Sequence, residues 1–125
     1  MKNTELAALI DRYCAAWRER DAGARAAILE AVWHDDGRYS DPTVEVEGRI
    51  ALCNLIGETQ ARFPGSEVVR LSEVDSHHGT FRFTWKMQTG EGKQLPESID
   101  FGRLSSDGRI LEIVGFFGLI GGEDV

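Results

Sequence analysis

The stretch from Thr80 to Gln88 alternates without a break. Phe81, Phe83, Trp85 and Met87 fall on one face, and Arg82, Thr84 and Lys86 fall on the other. A repeat of two belongs to a β-strand and to no helix. A face this apolar has to be covered, so the chain must build a sheet with a second layer packed against it. The strand has company downstream. Ile99 to Leu104 reads as another strand, Ser105-Ser106-Asp107-Gly108 as a turn, and Arg109 to Phe117 as a more apolar final strand. Asp100 stands in the middle of the first of these. A mid-strand carboxylate either faces water or faces an enclosed pocket, where burial displaces its pKa.

The N-terminal half carries a different period. Leu6, Leu9, Ile10, Tyr13, Cys14 and Trp17 recur at helical spacing, with Asn3 or Thr4 as cap and Asp21-Ala22-Gly23 as the end. A second helix is predicted from Ala24 to Trp33, broken by His34-Asp35-Asp36-Gly37. Arg38 to Asp41 reads as a short extended segment before Pro42, with Val44 to Glu47 as its candidate extension. Gly48 precedes a third helix, Arg49 to Phe63, with Ile50, Cys53 and Ile56 on one side; Pro64-Gly65 ends it. Val68 to Val74 is a further predicted strand, and Asp75-Ser76-His77-His78-Gly79 turns the chain into the alternating one.

Helices first and sheet later is the order of an α+β fold. The expected architecture is α-α-β-α followed by a curved antiparallel sheet, a cone enclosing a pocket. One domain spans residues 1–125, with loose ends at about 1–4 and 121–125. The net charge of −7 and the lack of any dense Lys/Arg run argue against nucleic acid and against anionic membranes. No apolar run approaches the ~18 residues of a membrane span. Met1 to Glu5 leads straight into the first helix, which reads as no signal peptide and a cytoplasmic protein. Cys14 and Cys53 form no metal or redox pattern, and His34, His77 and His78 have no ligand spacing, so neither a metal nor a cofactor is expected.

Several short motifs sit in a telling order: Arg12-Tyr13, the run Asp35 to Pro42, Gly48 before a helix, and Ile99-Asp100-Phe101 followed by Asp107-Gly108-Arg109-Ile110. Together they resemble the nuclear transport factor 2-like superfamily, also called SnoaL-like or ketosteroid isomerase-like, from about Leu6 to Gly118. The resemblance implies a catalytic trio. Asp41, just before a proline, matches the base of the steroid isomerases. Tyr13 matches their donor tyrosine, and Asp100 matches the protonated aspartic acid that donates beside it. The chemistry is coherent. Enolisation needs a base at the carbon and donors at the oxygen where charge develops, and an aspartate donates only while protonated. By alternation Asp100 and Gly102 share a face. Trp17, Trp33, Phe83, Trp85, Met87, Gly102, Ile113 and Phe117 are the expected pocket wall, with Gly102 leaving room for a ligand. Trp33 and Ile56 stand where isomerases can carry extra tyrosines, so a tyrosine network is absent or rebuilt.

Each residue also has a plainer reading. Asp41 serves as a turn aspartate, Tyr13 as a core tyrosine, and His77 and His78 as exposed turn residues or a shuttle at the pocket mouth. The leading function is acid–base enolisation of an apolar cyclic or polyketide-like ketone, by isomerisation, cyclisation or dehydration. The rival is a non-catalytic module that binds a small apolar molecule. Epoxide hydrolysis on this fold would want an arginine where Ser98 stands. A purely structural dimerisation domain would fill the pocket with Trp17, Trp33 and Trp85. Arg82, Lys86, Arg103 and Glu112 fall on the outer sheet face, either solvated or, as the resemblance implies, packed against a second copy in a homodimer.

Overall fold

The computed structural model describes residues 1–120; the expected loose tail at 121–125 lies outside them. Helix α1 runs Asn3–Arg18 and buries Leu6, Leu9, Ile10, Tyr13, Cys14, Ala16 and Trp17 on one face. It starts inside the stretch expected to be loose. No side chain caps it, since Lys2 holds the cap position, and the Asn3 amide oxygen accepts a hydrogen bond from Ser76 Oγ at 2.7 Å. Asp21 does not close α1. Its carboxylate accepts from the Ala24 N–H at 2.8 Å and caps the start of α2, Ala22–Val32.

The expected break at His34 to Gly37 is a strand rather than a turn. β1 runs Trp33–Asp41, with a register shift between Trp33 and Arg38. Gly37 explains the shift, since a Cβ there would overlap the Trp33 indole, which folds back over the backbone. Val44 to Glu47 does not extend β1. It returns beside it as β2, Val44–Glu47, pairing Asp41 with Val44 and Arg38 with Glu47. Helix α3, Arg49–Arg62, buries Leu52, Ile56 and Gln60, a spacing of four. Ile50 lies off that stripe and is 81% exposed, against expectation.

The strand expected from Val68 to Val74 divides. β3 is Glu67–Arg70 and β4 is Asp75–His77, both pairing with β5, Thr80–Gln88. Between them Ser72 Oγ accepts the Thr84 N–H at 2.8 Å, so a side chain takes over where the ladder stops. His78 and Gly79 both have positive φ, as a two-residue mirror-image hairpin turn requires. β6 is Ser98–Leu104 and β7 is Ile110–Phe116.

The strand order is β2-β1-β7-β6-β5-β3, with β4 beside β5, in a curved sheet that does not close. β1 and β7 are parallel, so the sheet is mixed rather than wholly antiparallel. The pairing joins segments far apart in sequence, which local periodicity does not encode. Helix α1 packs on β3 and against α2 and α3, and α3 packs on β1 and β2. The core between helices and sheet is sealed by Leu29, Val32, Trp33, Leu52, Ile56, Ile110 and Ile113, all fully buried. Among the described residues no helix is long and apolar enough to cross a membrane.

Candidate active site

Three neighbouring strands set the floor of the site. Phe83 on β5 pairs with Asp100 on β6, which pairs with Gly115 on β7. Ser40 pairs with Val114, so the next residue of β1, Asp41, comes level with Gly115. Gly115 is where the two aspartates come together. A Cβ built there would stand 2.8 Å from Asp100 Oδ1 and 3.6 Å from Asp41 Cβ. Any side chain at 115 would displace one of them.

Helix α1 supplies the roof. Tyr13 stacks on Trp33 with ring centroids 5.7 Å apart and planes 17° from parallel, and it meets the edge of Trp17 at 6.5 Å. Trp17 in turn leans on Tyr39 at 5.5 Å. Between roof and floor lies a cavity of about 380 Å³. Tyr13, Trp17, Asp41, Phe83, Trp85, Met87, Asp100 and Phe117, all expected at the site, line it together. Three expected wall residues do not. Trp33 is wholly buried beneath Tyr13, and Ile113 is wholly buried in the core. Gly102 makes room for the Phe81 ring rather than for a ligand; a Cβ there would overlap it. The glycine that opens space at the site is Gly115.

The charges are unevenly settled. Asp100 is 5% exposed. Burial pushes its carboxyl up to about 7, opposed by the hydrogen bond it accepts from Trp85 Nε1 at 2.9 Å and reinforced by the charge of Asp41. Burial likewise drives Tyr13 and Tyr39 well above the ordinary phenol range, with the charges of Asp100 and Asp41 adding to it. Both therefore remain neutral donors. Cys14 is pushed to about 12 by burial and stays an inert thiol.

Asp41 is held by its own strand and turn. Its Oδ1 accepts from Thr43 N at 2.8 Å, Thr43 Oγ1 at 2.6 Å and Val44 N at 3.2 Å. Its Oδ2 accepts from Tyr39 Oη at 2.7 Å. The turn role and a place on the cavity wall are both realised in one residue. Tyr39 is the residue that sequence reading missed. Its signal was there, since positions 39 and 41 of one strand share a face.

The histidines lie elsewhere. His77 and His78 are exposed in the hairpin turn, their Nδ1 atoms 3.2 Å apart, and His77 borders a groove on the outer sheet face rather than the cavity. Among the described residues no cluster of His, Cys, Asp or Glu could hold a metal ion.

Comparison with known proteins agrees with the fold. The pattern of the SnoaL-like domain matches residues 10–113. Among solved structures, the chain is similar to a candidate isomerase of the SnoaL-like family from Agrobacterium tumefaciens. That match has 29% identity, covers 93% of this chain and 99% of the other, and has a TM-score of 0.86. In fold it is also similar to a candidate SnoaL-like polyketide cyclase from Jannaschia sp. CCS1, at 15% identity over 94% and 86% of the two chains and a TM-score of 0.71. A third similar structure, from Catenulispora acidiphila, has a ketosteroid isomerase-like fold and was solved with trimethylamine; it is 14% identical over 89% and 85%, with a TM-score of 0.70. No curated protein matches the chain.

Proposed function

The chain belongs to the SnoaL-like domain family, and from that footing we propose that it is an enzyme that enolises an apolar cyclic or polyketide-like ketone with its own side chains. Asp41 removes a proton beside the carbonyl. Tyr13 and the protonated form of Asp100 donate to the oxygen as negative charge develops there. The enolate collapses back to the carbonyl with the proton returned at another carbon, or it goes on to cyclise or expel a leaving group. The observation that carries this reading is the buried Asp100, whose carboxyl is poised near neutrality on the same apolar cavity as Asp41 and Tyr13.

The test is proton-transfer activity on a panel of β,γ-unsaturated cyclic ketones, comparing the unaltered chain with Asp41→Asn. We expect turnover to fall by at least about a hundredfold in the variant, the scale of a lost general base, with ketone binding retained. Equal rates in the two proteins would sink the mechanism.

One observation favours a second reading. Asp41 already accepts four hydrogen bonds, and Trp85 satisfies an ionised Asp100. A module that only binds a small apolar ligand would be built this way, and a ligand recovered unchanged after long incubation would support it. In either case we place the chain in the cytoplasm, where the free thiols Cys14 and Cys53 stay reduced. We also propose that it works as a homodimer through the outer sheet face, where Phe101 and Phe116 meet edge to face beside Val114, Arg103 and Glu112.

A further inference from the structure

We infer that Tyr39 is a positioning residue that selects Asp41 Oδ2 as the reacting oxygen and holds it aimed into the cavity, an inference that rests on the reading of Asp41 as the base. The two oxygens of Asp41 are not equivalent. A carboxylate offers about four lone-pair directions in all. Oδ1 is used up by three donors from the turn, Thr43 N, Thr43 Oγ1 and Val44 N. Among the described residues Oδ2 has a single partner, the Tyr39 hydroxyl at 2.7 Å. One lone pair on Oδ2 is left to take a proton.

The hydroxyl that flanks that lone pair is fixed. Tyr39 is 4% exposed, and its ring lies against Trp17 at 5.5 Å. It lies two residues before Asp41 on β1, so the backbone of one strand sets the angle between them. Register with Val46 on β2 and Ile113 on β7 holds that strand on both sides. Tyr39 also lines the cavity, so it orients the base from beside the substrate rather than from behind. Its O–H stays on Oδ2 while the carboxylate takes up the substrate proton on the remaining lone pair, and no other group has to move.

The hydrogen bond favours the ionised carboxylate, so its loss favours the protonated one. In Tyr39→Phe the ring packing on Trp17 is kept and only the hydroxyl goes. The titration of the Asp41 carboxyl, followed by carbon-detected NMR without substrate, should then move upward, because the variant lacks the donor that stabilises the charged form. The acid limb of kcat/KM should move upward with it. The other titratable groups on the same wall are Tyr13 and Cys14 from α1, Arg62 from α3 and Asp100 from β6. The Asp41 titration is therefore read in an Asp100→Asn background as well, where the coupling between the two carboxyls is absent.

An Asp41 titration that stays in place in folded Tyr39→Phe overturns the inference. Where that variant does not fold, the unaltered chain still decides. A Tyr39 hydroxyl proton protected from exchange, with a resonance that follows the Asp41 titration, supports the inference; a freely exchanging hydroxyl that does not follow it overturns it. A shifted titration in a chain whose turnover ignores Asp41→Asn supports the hold of Tyr39 on the carboxylate and overturns the base assignment instead.

Discussion

Asp100 sits in an environment that penalises its charge, and the penalty is a statement about stability as well as reactivity. Its folded value of about 7 lies above the value near 3.9 of a free aspartic acid. Between those two values the folded chain binds the proton more tightly than the unfolded chain does. Stability from this residue is therefore fully present below about pH 4 and is lost as the pH rises through about 7. Asp100→Asn should abolish that part of the slope. Urea unfolding at pH 5 and pH 8 should show the unaltered chain losing a few kcal/mol relative to the variant across the window. A constant difference at both pH values would mean that Asp100 is ionised throughout. The same substitution leaves Trp85 with an oxygen to donate to, so packing at the site is little disturbed.

The element that holds the site up is the junction of α1, α2 and α3, and it is polar. Arg25 is 5% exposed and donates to the carbonyls of Glu19, Arg20 and Cys53 and to Gln60 Oε1. Among the described residues no carboxylate pairs with it; the carbonyls at the end of α1 carry the compensating negative dipole. Gln60 completes the junction by donating from Nε2 to Trp17 O and Glu19 O. Gly57 leaves room for the guanidinium, since a Cβ there would come within 3.1 Å of it. Gln60→Leu should cost about 3 kcal/mol or more in chemical denaturation, because it orphans one buried Arg25 donor and weakens the satisfaction of two carbonyls. A loss under about 0.5 kcal/mol would mean that water enters and replaces the amide. None of this was legible in the sequence, where Arg25 and Gln60 read as ordinary polar helix residues. What was legible followed local period: α1, the alternation of β5, the hairpin of β6 and β7. The reading failed where a local exception ruled. The Trp33 indole folded over Gly37 turned a predicted helix break into a bulged strand, and side-chain capture by Ser72 split another strand in two. At the site, Tyr13, Asp41 and Asp100 were found through resemblance and alternation. Tyr39 was not, because the resemblance assigns no role to its position.

For the whole molecule, the outer face of the sheet presents apolar side chains beside charged ones. Phe116 is 51% exposed and meets the ring of Phe101, and on the same face Arg103 and Glu112 are already paired at 3.1 Å. A mixed apolar and paired-charge face suits a second copy of the same chain related by a two-fold axis. Sedimentation of the unaltered chain should give a dimer, and Phe116→Glu should give a folded monomer; a monomer in both would remove the proposal.

The parallel neighbours β1 and β7 carry a further consequence, in time rather than space. Asp41 lies in the first third of the chain, yet its place beside Gly115 and Asp100 exists only once the last strand has docked. Helices and hairpins close over short loops and form early, whereas this pairing encloses most of the polypeptide and pays its loop-closure entropy in one step. The pocket is thus among the last features to exist as the chain leaves the ribosome. A nascent or truncated chain that stops short of Ile110 has its helices and Asp41, but not the strand that Asp41 comes to lie beside.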